Sequence, residues 1–165
     1  MASMAFYSLN PTESMASIAQ PKSAVASTKA ADSSTIVTLY VEEGTVTKVS
    51  SSSEVQVVNA YFTNSVDATA ANLGTVHGTI ATTGLDQNIL TLNLDFYFTA
   101  ASGVYDKSTL VINGRYFVIN GKNELALVGG TKYFKNVVGY AATETITVGS
   151  KKFVKFTFYV KFVGN

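Results

Sequence analysis

Cysteine and tryptophan are absent from this chain of 165 residues, and histidine occurs once. Without cysteine there is no disulfide framework, zinc finger, thiol nucleophile or iron–sulfur cluster. A single histidine also excludes a multi-histidine metal site. Charged residues are scarce at 14%, against 47% hydrophobic, so charge-driven disorder is excluded over most of the chain. The net charge of +1 lacks the concentrated basic surface that nucleic acid requires. No apolar run approaches the roughly 20 residues of a membrane-spanning helix. The expectation is a protein with no resident metal or cofactor and with neither nucleic acid nor membrane as partner.

The length suggests one domain, large enough to bury roughly 70% of its unfolded surface. Composition changes once, near residue 34. Residues 1–34 are rich in alanine and serine and hold both prolines, Pro11 and Pro21. Their bulky residues are scattered, with too little apolar surface to offset the entropy of ordering. The prediction is a disordered N-terminal tail over 1–34 and one domain over 35–165. No basic n-region precedes an uninterrupted apolar stretch, so the tail does not read as a secretory signal. Its Met-Ala-Ser start, with only Glu13 and Asp32 as acids, has some transit-peptide character, which leaves cytosol and plastid open.

From Ile36 the period becomes two. Val37, Leu39 and Val41 alternate with Thr38, Tyr40 and Glu42; Leu90 through Phe98 and Val154 through Phe162 alternate in the same way. Such alternation puts one set of side chains on one face of a sheet. Weaker runs at about 53–62, 73–82, 108–119, 123–129 and 136–148 bring the number to roughly eight strands, the spacing of a barrel or sandwich. Glycines at 74, 78, 114, 129, 130 and 139 mark the corners and bulges a closed barrel needs. Tyr61, Ile89, Tyr97 and Tyr159 fall on the nominal outer parity, where contacts between subunits would cover them.

Enzyme signatures are few: the P-loop, GxGxxG and GxSxG patterns do not occur. His77, a lone histidine between two strand glycines in Gly74-Thr75-Val76-His77-Gly78, is either a hydrogen-bonded structural residue or a partner for a phenol or carboxylate ligand. Glu43 shares parity with Val37, Leu39 and Val41. The plainer expectation is that it ends its strand in solvent. The alternative is a carboxyl facing an apolar cavity, its pKa raised by desolvation, where it could act as general acid or hold a hydroxyl. Gly129-Gly130-Thr131-Lys132 reads as a corner between strands, since no helix follows to bind phosphate. Arg115 reads as a surface turn residue, or else as a bidentate partner for a carboxylate. Lys151, Lys152, Lys155 and Lys161 are expected to be solvated along the last strand.

Leu39-Tyr40-Val41-Glu42-Glu43, the run Tyr105-Asp106-Lys107-Ser108-Thr109-Leu110 with Gly114-Arg115, and Asn123 through Gly130-Thr131 to Gly139-Tyr140-Ala141 together resemble the dirigent proteins of plants. The likeness covers about residues 36–163, and its most specific part is the Gly-Gly-Thr segment with the later Gly-Tyr-Ala at the family's spacing. Allene oxide cyclases have a related barrel and rank second.

The resemblance implies an all-β fold: an eight-stranded antiparallel barrel assembling as a trimer. It also implies a role in lignan and phenylpropanoid metabolism or plant defence, guiding phenolic radicals or quinone methides into one stereoisomer. A separate laccase or peroxidase would supply the radicals. Whether such a protein counts as an enzyme is left open by the same resemblance, since it has no oxidising centre and at most directs coupling or closes a ring. Alternatives are a non-catalytic ligand-binding or defence protein on the same barrel, and an oxylipin-type cyclase.

Carried over, Glu43 matches the acid ending the family's first-strand motif and is the candidate catalytic residue. Tyr40, His77, Tyr105, Tyr116 and Val138 are the cavity candidates. Tyr116 stands where the family has a cavity aspartate, Val138 where it has an arginine, and Lys132 where it has a glycine. The family's second-strand aspartate pair has no counterpart near Phe62-Thr63. Family members are typically secreted, but the chain has neither cysteine nor a usable glycosylation sequon, because Pro11 blocks Asn10.

Overall fold

A computed structural model describes residues 34–43, 55–83, 89–118 and 121–163. The tail expected over 1–34 lies, but for Ser34, outside the described residues. Eight strands follow in order: β1 Ser34–Glu42, β2 Val55–Thr63, β3 Asn72–Thr82, β4 Ile89–Phe98, β5 Thr109–Phe117, β6 Lys122–Thr131, β7 Val137–Val148 and β8 Lys151–Phe162. Each pairs antiparallel with its sequence neighbour, and β8 returns to β1 to close the barrel. Closure removes the sheet edges that would otherwise invite aggregation. The expected strands are all present, with ends displaced by a few residues at most.

The alternation read from the sequence decides which face is which. Leu90, Leu92, Leu94, Phe96 and Phe98 of β4 are buried inside, while Asn93 and Tyr97 face out. Val160 and Phe158 of β8 and Leu39 of β1 are inside on the same principle. Strand β1 pairs with β8 along its whole length, from Ser34↔Lys161 to Glu42↔Phe153. Its described pairing with β2 is confined to Tyr40↔Thr63 and Val41↔Phe62. That offset is the stagger by which tilted strands close a small barrel.

One end of the interior is filled by aromatic rings. Phe62, Phe96, Phe98, Phe134 and Phe158 are fully buried. Phe96 meets Phe156 and Phe158 edge-on at ring distances of 5.0 and 5.1 Å, the geometry ring quadrupoles prefer. Each such ring contributes about 2–3 kcal/mol through burial. Two 3₁₀ segments, Ala100–Tyr105 and Lys132–Phe134, plug this end. Gly130 makes the second possible: a Cβ there would lie 2.7 Å from the Cβ of Phe134, so only glycine lets Phe134 turn inward. The Gly-Gly-Thr stretch is thus a strand end and corner, as expected. Beside it the β5–β6 register slips between Val111 and Ile112.

Gly139 has a different reason. Its φ of +147° is costly for a side chain, and a Cβ would collide with the carbonyl oxygen of Tyr159 on β8. Close approach of two strand backbones is a common use of glycine within a sheet.

Candidate functional site

The end of the interior opposite the plug is partly polar. Glu43, directly after β1, continues the inward parity of Val37, Leu39 and Val41. Its Oε1 is shielded from solvent and has no hydrogen-bond partner, although the residue as a whole is only half-buried. Burial pushes its carboxyl above the usual carboxylate range, and the Lys152 ammonium opposes that shift. The plainer expectation, a carboxyl wholly in solvent, therefore fails for one of its oxygens, while the residue itself stays half-exposed.

Tyr116 of β5 comes from the far side of the barrel and is 4% exposed. Burial raises the pKa of its phenol. A side-chain hydrogen bond with Thr145 of β7 lowers it, and the charge of Glu43 raises it further. Lys152 is inward too, sharing parity with Val154 and Phe156 of β8. Unlike Lys151, Lys155 and Lys161, it occupies an even, inward position of this strand while remaining partly exposed. Apolar surface completes the surroundings: Leu90 lies beside Tyr116 in the β4–β5 register, and Leu92 and Ile80 follow on β4 and β3. Asn123 closes the β5–β6 hairpin nearby. Its Oδ1 accepts from the Phe117 amide at 2.6 Å and its Nδ2 donates to the Phe117 carbonyl at 3.2 Å.

The remaining candidates are not brought to this place. Tyr40 shares parity with Thr38 and Glu42 and lies half-buried on the outer face. Val138 is 48% exposed, since the outward side of β7 carries it and Tyr140 alike. His77 is also outside: its Nε2 lies 2.8 Å from Thr75 Oγ1, and its register partner is Asp95. Burial raises the pKa of Asp95 and His77 opposes it. These three are therefore not cavity residues; the strict alternation of a pleated strand sends them out. Tyr105 is at the plugged end, ringed by Phe98, Tyr133 and Phe134. There burial and Tyr133 raise its pKa against a hydrogen bond with Thr35. Arg115 is exposed on the outer face, as the plainer reading expects, but within strand β5 and paired with Thr91 rather than at a turn.

Lys152 and Thr145 were missed in the sequence, though both were signalled by their parity with buried neighbours. A wide groove of about 500 Å³ lies on the outer face of β6–β8. Two of its lysines, Lys122 and Lys155, pair with Glu144 at 3.4 and 3.9 Å. Among the described residues no group of three or more His, Asp or Glu could hold a metal ion.

A carboxyl, a phenol and an ammonium facing apolar residues can orient a mostly flat ligand by its polar substituents. The family model described as "Dirigent-like protein" matches residues 10–161. "Dirigent protein 1" of Arabidopsis thaliana is 28% identical over 99 residues, 59% of this chain and 53% of that protein. "Dirigent protein 11" of the same plant is 27% identical over 117 residues, 71% of this chain and 60% of the relative. The chain thus spans between half and two thirds of the curated relatives it matches. Two solved pterocarpan synthase dirigent proteins, GePTS1 and PsPTS1, superpose with TM-scores of 0.69 and 0.68 at 19% and 20% identity. Both alignments cover 81% of this chain, and 93% and 97% of theirs. A pyocyanin demethylase superposes at 0.54 with 16% identity, over 75% of this chain and 99% of its own. At such identities the likeness shows the fold alone, and the last match illustrates that one barrel hosts different chemistries. With the family model spanning nearly the whole barrel, the chain belongs to the dirigent family.

Proposed function

We propose that the Glu43 end of the barrel binds a phenolic intermediate and directs its stereoselective coupling or cyclisation, as in phenylpropanoid and lignan metabolism. The observation that carries this reading is the Glu43 carboxyl, with one oxygen buried and unpartnered, facing Tyr116 and Lys152. A ligand hydroxyl would satisfy that oxygen. Holding the ligand by one face restricts which of its faces reacts, which is catalysis by orientation.

A raised carboxyl pKa also suits proton donation near neutral pH. With a quinone methide, protonated Glu43 would deliver its proton to the carbonyl oxygen. A pendant hydroxyl would add to the methide carbon, forming the C–O bond, and its proton would return to the carboxylate. The sum is an isomerisation needing no oxidant. That the two superposed dirigent proteins are pterocarpan synthases favours this ring-closing variant. In radical coupling, the oxidant would be a separate laccase or peroxidase, and the barrel would supply orientation only. A trimer, which would cover outward side chains such as Ile36, Tyr61 and Tyr159, belongs to the same proposal.

The test incubates the full chain with coniferyl alcohol and laccase, and separately with a quinone methide bearing a free hydroxyl. Products are resolved by chiral chromatography. An enantiomeric excess in either arm that Glu43→Gln abolishes supports the proposal. Racemic product in both arms, with the phenol bound nonetheless, supports the second reading: a binding protein without directing activity, favoured by Tyr116 and Val138 standing where the family has charged residues.

A further inference from the structure

The lysines are distributed unequally in their pairing. Around the Glu43 end and the outer groove they meet acids: Lys151 bonds Glu42 at 3.0 Å, and Lys122 and Lys155 share Glu144. At the plugged end, Lys107, Lys132 and Lys135 are all exposed and no described residue pairs with them. The only acids described on the loops there are Asp106 and Asp67, and Asp67 is held by Ser65 within its own turn.

The three lysines are neighbours. Lys107 closes the β4–β5 turn, its amide donating to the Phe98 carbonyl. Lys132 and Lys135 belong to the β6–β7 turn, where the Lys135 amide donates to the Lys132 carbonyl at 3.1 Å. The two turns are tied together. Tyr133 N–H donates to Ser108 Oγ at 3.2 Å, and the Thr109 and Thr131 hydroxyls lie 2.9 Å apart at the surface.

Two of these lysines occupy backbone positions that suit glycine. Lys107 has φ +58° and Lys132 has φ +51°, the left-handed region that side chains avoid. Neither side chain contributes to the buried core, so the fold gains nothing from a lysine that a glycine would not give more cheaply. An outlier of this kind, held without structural return, points to a role for the group it carries.

We propose that the plugged end of the barrel is a binding surface for an acidic polysaccharide, a chain of uronate-type sugars, held by Lys107, Lys132 and Lys135 beside the Thr109–Thr131 hydroxyl pair. Separate lysine ammoniums are point charges that match single carboxylates spaced along a polymer, and arginine, whose fork grips carboxylate and phosphate alike, is absent from these turns. Exposed hydroxyls between the cations match a ligand that alternates carboxylates with sugar hydroxyls. The surface lies at the end of the barrel opposite Glu43, so a bound polymer would leave that end of the interior unobstructed.

The test measures binding of the full chain to polygalacturonate across a salt series, with neutral dextran as control. Binding to polygalacturonate alone is expected. The slope of log affinity against log salt should fall by about 0.7 for each lysine removed, the single-strand polyelectrolyte value. Lys132→Gly is the decisive variant: it should weaken binding several-fold while the thermal midpoint holds or rises, because glycine relieves the strained φ. A Lys107→Ala/Lys135→Ala double variant should abolish binding. Lys122→Ala/Lys151→Ala, which removes the same number of lysines elsewhere, should change it little. Equal weakening by that control would reduce the effect to net charge and overturn the proposal. So would undiminished binding by Lys132→Gly, or tighter binding to single-stranded DNA or anionic lipid vesicles than to polygalacturonate.

Discussion

Glu43, at the end of β1, and Tyr116 of β5 stand four strands apart in an eight-stranded ring, so their side chains approach across the diameter of the barrel. The charge of the carboxyl helps to raise the pKa of the phenol. No local element brings the two together; closure of the sheet does.

Burial raises the Glu43 pKa above its ordinary value of 4.5. Between that value and the raised one, the folded chain keeps a proton that the unfolded chain has lost, so stability falls as pH rises through this window. Glu43→Gln should remove that part of the pH dependence. The variant is expected to match the parent near pH 4 and to exceed it at pH 7.5 by on the order of 1 kcal/mol or less, since the half-exposed group is screened by water. Urea unfolding at the two pH values checks this, and a variant less stable than the parent at pH 7.5 contradicts it.

Tyr116→Phe keeps the ring packed and deletes the hydroxyl that bonds with Thr145. The expected stability cost is about 1 kcal/mol, the net worth of an ordinary hydrogen bond. If the phenol also meets the ligand, affinity for coniferyl alcohol should fall about five-fold by the same magnitude. Fluorescence titration measures the second effect and denaturation the first. Unchanged affinity would remove Tyr116 from the site while leaving its structural part intact.

Phe96 touches Phe62, Phe156 and Phe158 in the dry half of the barrel. Truncation to alanine should cost about 3–5 kcal/mol, lost transfer energy together with a cavity the closed sheet cannot collapse. A loss below about 1.5 kcal/mol in chemical denaturation would mean that the aromatic end is looser than its burial implies.

Gly139→Ala should be among the more damaging single changes, costing about 3 kcal/mol or more. The φ of +147° and the carbonyl of Tyr159 both oppose a Cβ. The thermal midpoint reports it directly. Gly129→Ala, a glycine with open space around its Cβ position, is the matched control and should be tolerated.

The order and number of strands, and the inward set on β1, β4 and β8, were legible in the sequence because a pleated strand alternates strictly. Applied along β1, β3, β7 and β8, the same rule also puts Lys152 and Thr145 on the inner parity and Tyr40 and His77 on the outer one. Likeness to a family motif pulled against it at Tyr40 and Val138, and the chemistry of a lone histidine did so at His77.

Other features depended on closure. Whether Glu43 ended in water or in the interior could not be read from β1 alone. Its environment is set by Tyr116, Lys152 and the apolar side chains of β3 and β4, distant in sequence and joined only when β8 pairs with β1. The left-handed backbone at Lys107 and Lys132 was equally hidden, because local propensity at either position argues against it. Alternation is a property of neighbouring residues and is written in the chain. Desolvation, unpartnered charge and backbone strain are properties of what surrounds a residue, and only the closed barrel determines those.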